Sequence, residues 1–149
     1  MNAMTTRARR GIRILVAHAA LTLTVTGCMM HGPPPQDLDT ARTRVTERGL
    51  YQSTIVPAAE PIPINRMHQW TVEVRTPSGE PVERAAIHID GGMPQHGHGL
   101  PTSPRVTGEL GEGRYAVEGM RFNMRGWWTI SLKIDGPSGE DAVTFNLML

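Results

Sequence analysis

Residues 127–134 read WWTISLKI, and this stretch decides the fold class. Every second residue from 128 to 134 is large and apolar, whereas the residues between them include threonine, serine and lysine. Successive side chains of an extended chain point to opposite faces, so a period of two predicts a strand with one buried face. Trp128 is predicted to face the core and Trp127 to lie mostly in solvent.

Other stretches show the same alternation, separated by turns rich in glycine and proline. Strands are predicted at residues 70–75, 87–89, 105–110, 114–120 and 143–149. Six short strands without an amphipathic helix predict an all-β fold, an immunoglobulin-like antiparallel β-sandwich of about six to seven strands. Tyr115 follows Gly113 by two residues at a strand start, which resembles a tyrosine corner, so its hydroxyl is expected to bond to upstream backbone.

The first 28 residues have the features of an export signal. Arginines at the start are followed by an apolar run too short for a permanent membrane span, and Val25-Thr26-Gly27-Cys28 ends the run. These four residues resemble the lipobox of bacterial lipoproteins. The resemblance implies that a signal peptide, residues 1–27, is removed and that Cys28 is lipidated, which would anchor the protein stably in a membrane.

The remaining chain divides into a polar part and a strand-rich part. Residues 28–64 are rich in proline and lack a sustained period, so they are predicted to be a tether that could include one leading strand. A short helical turn is expected near residues 40–50. The folded domain is assigned to residues 65–149.

Charge and composition exclude several functions. The chain has 15 basic residues, and setting aside the four arginines before residue 14 leaves 11 against 14 acidic residues. A mildly acidic body argues against a nucleic-acid partner. Ser103, His96 and Asp90 are the residue types of a catalytic triad, but no nucleophile-elbow motif supports such a triad. The one cysteine is assigned to lipid attachment. The chain is therefore not expected to be an enzyme, and no small-molecule substrate is evident.

Histidine and methionine are concentrated at one predicted end of the sandwich. If strands alternate in direction, the three tight turns share one end, and the stretch GGMPQHGHGLPTSP (residues 91–104), predicted to be a long loop without regular strand, lies at the other. The ligand-type side chains at that end are Met67, His68, Met93, His96, His98 and Met124, with Met120 at the margin. Imidazole and thioether ligands suit copper, and Cu(I) in particular is expected here.

Two interpretations of this cluster stay open. In one, His96, His98 and either Met93 or Met124 bind copper. In the other, the histidines hold their loop by bonding to backbone carbonyls, the methionines fill the end of the core, and the loop docks a partner protein of the cell envelope without metal.

Three stretches resemble the YtkA-like domain, which is related to FixH-type envelope proteins. They are GGMPQHGHGLPTSPRVT, GRYAVEGMRFNMRGWWTISLKI and DAVTFNLML, and the resemblance covers about residues 70–149. It implies an immunoglobulin-like domain of the bacterial envelope that serves copper handling or the assembly of copper-containing respiratory oxidases. By position, the residues that match the family's loop and its aromatic-Met-x-Gly-x-Trp segment are Met93, His96, His98, Phe122, Met124, Gly126 and Trp128.

The expected location follows from these features. The protein is predicted to be anchored to a membrane through Cys28, to face the periplasm and to have an envelope protein as a partner. Residue 29 is methionine rather than aspartate, which favours the outer membrane over the inner one.

Overall fold

A computed structural model describes residues 32–149, so the predicted signal peptide and Cys28 lie outside the described residues. Within residues 32–149 there are nine strands, and no helix long and apolar enough to cross a membrane is found. The strands are β1 (Thr43–Val45), β2 (Gln52–Pro57), β3 (His68–Arg75), β4 (Ala86–Met93), β5 (His98–Gly99), β6 (Arg105–Gly111), β7 (Arg114–Met120), β8 (Trp127–Gly136) and β9 (Gly139–Met148).

The strands form two antiparallel sheets that enclose one hydrophobic core. The first sheet has the order β1-β2-β3-β7-β6 and the second has the order β5-β4-β8-β9. Alternate residues of β8 and β9 are buried, because one face of each strand packs on the opposite sheet. The prediction of an all-β antiparallel sandwich is confirmed.

The register predicted for β8 is confirmed, with one difference at its first residue. Trp128 is 0% exposed. Trp127 points to the other face but is half-buried rather than mostly exposed, because Pro33, Pro35 and Pro94 line a shallow groove with it. Its Nε1 also donates a hydrogen bond to Oδ1 of Asn146, at 3.0 Å.

Much of the predicted tether belongs to the sandwich, so the boundary predicted at residue 65 is wrong. Residues 43–45 form β1 instead of a helical turn, and β2 pairs with β3 from Gln52–Arg75 to Pro57–Trp70. Tyr51 and Ile55 are each 1% exposed in the core. The residues from 31 onwards form one compact unit, which places the start of the folded part more than thirty residues earlier than predicted.

Two polar side chains fasten the N-terminal strands to β9. The Tyr51 hydroxyl donates to the carbonyl of Gly139 at 2.7 Å. The buried Asp141 carboxylate accepts hydrogen bonds from Oγ1 of Thr46 and from the backbone N–H groups of Arg48 and Leu50, among others. Burial alone would raise the pKa of Asp141, but these hydrogen bonds outweigh burial and lower the pKa to about 2.

The Tyr115 hydroxyl joins the two sheets. It donates to the carbonyl of Val82 at 2.7 Å and accepts from the N–H of Ala85 at 3.0 Å. Both partners are upstream backbone groups, as expected, but they lie 33 and 30 residues away, in the connection that leads into β4, rather than in the adjoining corner.

The connections between strands gather at two ends, as the strand directions require. The end formed by residues 46–51, 76–85, 112–113 and 137–138 is here called the turn end. The opposite end, formed by residues 58–67, 94–104 and 121–126, is called the loop end. His68 pairs with Met120 in the first sheet, and Gly92 pairs with Thr129 in the second. Strands of both sheets therefore reach the loop end.

Candidate functional site

The stretch 91–104 contains a tight β-hairpin, so the prediction that it holds no regular strand is wrong. β4 continues through Met93, and β5 pairs with it through Gly92–Gly99 and Met93–His98. Residues 94–97 form the turn, in which the N–H groups of His96 and Gly97 donate to the carbonyl of Met93 at 3.0 and 2.9 Å. The hairpin therefore holds His96 and His98 on ordered backbone.

Glycine is required where the hairpin folds back on itself. A Cβ added at Gly92 would lie 2.6 Å from the carbonyl oxygen of His98, and one at Gly91 would lie 2.5 Å from that of Thr129. Both distances are far shorter than carbon–oxygen contacts allow. Gly92 therefore lets β5 lie close to β4 and sets the position of His98, whereas Gly91 lets β4 lie close to β8.

The two histidines of the hairpin lie side by side. The ring centroids of His96 and His98 are 5.9 Å apart and the rings are inclined by only 24°. Nδ1 of His98 is 3.0 Å from the carbonyl oxygen of Gly99. A carbonyl can only accept, so this bond places a proton on Nδ1 and leaves the lone pair of a neutral His98 on Nε2.

Trp128 connects this pair to the β7–β8 loop. The indole and the His98 ring meet in a T-shaped arrangement, with centroids 5.6 Å apart and planes inclined by 68°. Its Nε1 donates to the backbone carbonyl of Met124 at 3.1 Å, and the Met124 side chain is 37% exposed. His98 and the Met124 backbone thus contact the same buried tryptophan, and Met124 is the partly exposed thioether of this neighbourhood.

Met93 lies in the core rather than at the surface. It is 1% exposed, and its methyl carbon would be 2.9 Å from a Cβ added at Gly126. Gly126 has φ of +126°, a conformation that favours glycine, and its N–H and carbonyl bond to the backbone of Leu149. The structure therefore assigns Met93 to packing and Gly126 to a structural role.

His68 is not brought together with the hairpin histidines. Its ring contacts are with Trp70 and Phe122, and its Nδ1 accepts a hydrogen bond from Nε1 of Trp70 at 3.0 Å. Burial lowers the pKa of His68, which favours the neutral ring. In that ring the proton is on Nε2, and neither nitrogen keeps a lone pair for a metal. The structure thus removes His68 from the predicted ligand set.

The donor set that remains is two imidazoles and one thioether. Across residues 32–149, no three or more histidine, cysteine, aspartate or glutamate side chains are grouped as a metal site. A metal at the loop end would therefore rely on His96 and His98 together with the softer Met124. Such a set fits Cu(I) and not magnesium or calcium, which prefer oxygen ligands.

Gln95, in the hairpin turn, makes a contact that was not predicted. Its side-chain Nε2 donates to the carbonyl of Gly32 and so ties the hairpin turn to the start of the described chain. No local pattern in the sequence could reveal this contact, because the two residues are 63 positions apart.

Comparisons with known proteins give one family match. Residues 47–133 match the YtkA-like family, so the match begins well before residue 65 and includes β2. No curated protein matches the chain. Among solved structures, the ZirS C-terminal Domain is similar with 14% identity and a TM-score of 0.41, over 98% of this chain and 88% of that chain. A likeness of that size supports no conclusion about function.

Proposed function

This chain belongs to the YtkA-like family, and from that membership we propose that it is a lipid-anchored protein of the bacterial envelope that binds or hands over copper. The metal is held as Cu(I) at the loop end by His96, His98 and Met124. The protein is not an enzyme, and its role is copper homeostasis or the assembly of a copper-containing oxidase. The relation to FixH-type proteins stays a prediction.

The observation that carries this proposal is the hydrogen bond between Nδ1 of His98 and the carbonyl of Gly99. Histidines that bind metals commonly donate their other ring N–H to a backbone carbonyl, which fixes the tautomer and the orientation of the ring. Here that bond directs the Nε2 lone pair away from the hairpin backbone. The neighbouring His96 ring, whose centroid is 5.9 Å from that of His98, supplies a second imidazole from the same hairpin.

Copper titration tests the proposal. The protein used is residues 28–149 with the substitution Cys28→Ser, which prevents lipid attachment. Under reducing conditions it should bind one Cu(I) per chain, measured by competition with a Cu(I) chelator. The His96→Ala, His98→Ala double variant should bind more than about 100-fold more weakly, since even the loss of a group that only supports a ligand costs 10–100-fold.

His88→Ala is the matched control. His88 is exposed on β4, where it pairs with Lys133, away from the hairpin turn. This variant should bind copper like the parent chain. If the double variant binds as tightly as the parent, or if neither binds while both remain folded, the copper proposal is wrong. The loop end would then be better explained as a docking surface for a protein.

Acidification gives a second test of the same ligands. An imidazole must be neutral to bind a metal, so the affinity for Cu(I) should fall as the pH is lowered and protons compete with the metal for the ring nitrogens. Competition titrations at a series of pH values measure this. A copper affinity that stays constant from pH 7 to pH 5 would indicate that thioethers alone bind the metal.

The proposed anchor has its own test. Cys28 stands where the apolar run ends, preceded by an aliphatic and two small residues. Cys28→Ser should move the protein from the membrane fraction to the soluble fraction of cells and abolish incorporation of a labelled fatty acid. A variant that stays in the membrane fraction as the parent does, with no label in either protein, would exclude the lipoprotein assignment.

A further inference from the structure

The segment that follows the proposed anchor is docked on the sandwich. The carbonyl of Gly32 accepts a hydrogen bond from Gln95, and Pro33 and Pro35 line a groove with Trp127. Further along, the carbonyl of Asp39 accepts from Nδ2 of Asn146 at 2.9 Å. Residues 32–39 therefore cross the outer face of the β4-β8-β9 sheet at the loop end, instead of forming a free tether.

This docking limits how far the sandwich can be from the anchor. Three residues lie between Cys28 and Gly32, so four residue-to-residue steps join them, and a fully extended chain spans at most about 3.6 Å per step, or about 14 Å in all. A lipid on Cys28 would thus be attached within about 14 Å of the backbone that contacts Gln95. The part of the sandwich nearest the membrane is then the loop end.

The loop end also has the charge expected of a surface that meets anionic lipid. Its connecting residues carry three arginines, Arg66, Arg121 and Arg125, and one acidic residue, Glu60, which is paired with Arg42 at 3.0 Å. The docked segment adds Asp37 and Asp39, and Asp39 is paired with Arg44 at 3.3 Å. The connections of the turn end carry two arginines and four glutamates instead. Arg66 and Arg125 are exposed, and Met67, beside Arg66, is 60% exposed.

We propose that the loop end lies against the membrane, with Arg66 and Arg125 on anionic headgroups and Met67 at the interface. The orientation rests on the proposed lipid at Cys28, whereas the affinity for lipid headgroups rests on the described residues alone. The hairpin with His96 and His98 would then work next to the bilayer surface. Any protein that exchanges copper with it would have to reach that surface.

Vesicle binding of the unlipidated chain, residues 28–149 with Cys28→Ser, tests this proposal. Since residues 31–149 form a compact unit, this chain should fold, and a cooperative thermal melt checks that. It should sediment with vesicles of phosphatidylglycerol and phosphatidylethanolamine, and not with phosphatidylcholine. Added salt should release it, because exposed charges are screened.

The arginines are tested by a pair of matched double variants. Arg66→Gln, Arg125→Gln should weaken binding to the anionic vesicles by about 30-fold, from about fivefold for each basic residue near the surface. The control is the double variant Arg84→Gln, Lys133→Gln, which also removes two positive charges but from positions nearer the turn end. Its vesicle binding should stay within about twofold of the parent. Equal losses in the two variants, or equal binding of the parent chain to anionic and neutral vesicles, would overturn the proposal.

The result of the vesicle experiment can be interpreted separately from the results of the copper and anchor experiments. The vesicle experiment uses a chain without lipid and without copper, so it does not depend on either. A failed Cys28→Ser fractionation test would remove the anchor while leaving the headgroup affinity measurable. Failed vesicle binding would remove the membrane-facing surface and leave the anchor and copper tests unchanged.

Discussion

Trp128 contributes both to the stability of the core and to the geometry of the loop end. Its side chain is fully buried, contacts Phe122 and His98, and holds the Met124 carbonyl. Trp128→Ala should lower the free energy of unfolding by about 3 to 5 kcal/mol. Trp127→Ala, on the half-buried face, should cost about 1 kcal/mol, near the mean for point substitutions. Denaturant titrations of both variants measure this, and equal losses would contradict the register of β8.

Asp141 should make stability depend on pH in acid. Its pKa in the folded chain is about 2, below the ordinary value of 3.8, because hydrogen bonds to its charged form outweigh burial. The folded state therefore gains stability from this group above about pH 4, and loses it as the pH falls from about 4 to about 2. Asp141→Asn should be less stable than the parent at pH 7, with the difference shrinking towards pH 2.

Thermal melts across this pH range measure the effect of Asp141. Asp135→Asn is the control, because Asp135 is an exposed aspartate on β8. This variant should be about as stable as the parent at pH 7. A gap between Asp141→Asn and the parent that stays constant from pH 7 to pH 2 would contradict the assigned hydrogen bonds.

The candidate ligands show what the sequence can and cannot predict at this scale. The spacing of His96 and His98, with only Gly97 between them, was enough to predict that both side chains can face one centre. The sequence could not distinguish His68 from them, because its exclusion depends on a hydrogen bond from Trp70 that fixes its tautomer. Met93 and Met124 likewise differ only in burial, which depends on where the hairpin and the β7–β8 loop pack.

At the scale of elements, the strands with strict alternation were predictable, whereas β1, β2 and β5 were not. β8 could be located from residues 127–134 because one of its faces is apolar without interruption. β2 lies among prolines and has serine at a buried position, Ser53, so its sequence resembles a linker. The β4–β5 hairpin was missed because its glycines serve close backbone contact, which in sequence looks like a loop.

Removing β1 and β2 should therefore unfold the sandwich. A chain limited to residues 65–149 lacks the strand that pairs with β3 along six residue pairs, and it lacks the buried Tyr51 and Ile55. The exposed edge and the opened core should abolish cooperative melting, whereas residues 31–149 should melt cooperatively. Circular dichroism melts of both chains measure this. A stable, cooperative fold of residues 65–149 would restore the tether interpretation.

At the scale of the whole molecule, the two ends of the sandwich differ in chemistry. The turn end holds the acidic connections and the hydrogen bonds of Tyr51, Tyr115 and Asp141, which fasten the strands together. The loop end holds the hairpin histidines, the exposed Met67 and the docked segment that leads to Cys28. One end thus stabilises the fold, and we assign the proposed functions to the other.

X-ray absorption spectroscopy of the chain loaded with one Cu(I) tests the central proposal most directly, because it identifies the ligand atoms. We predict nitrogen and sulfur ligands together, with the nitrogen contribution lost in the His96→Ala, His98→Ala variant and the sulfur contribution lost in Met124→Leu. Met67→Leu, which changes an exposed methionine outside the proposed donor set, should leave the spectrum unchanged. A spectrum with sulfur ligands alone, or one that the histidine substitutions do not alter, would contradict the account.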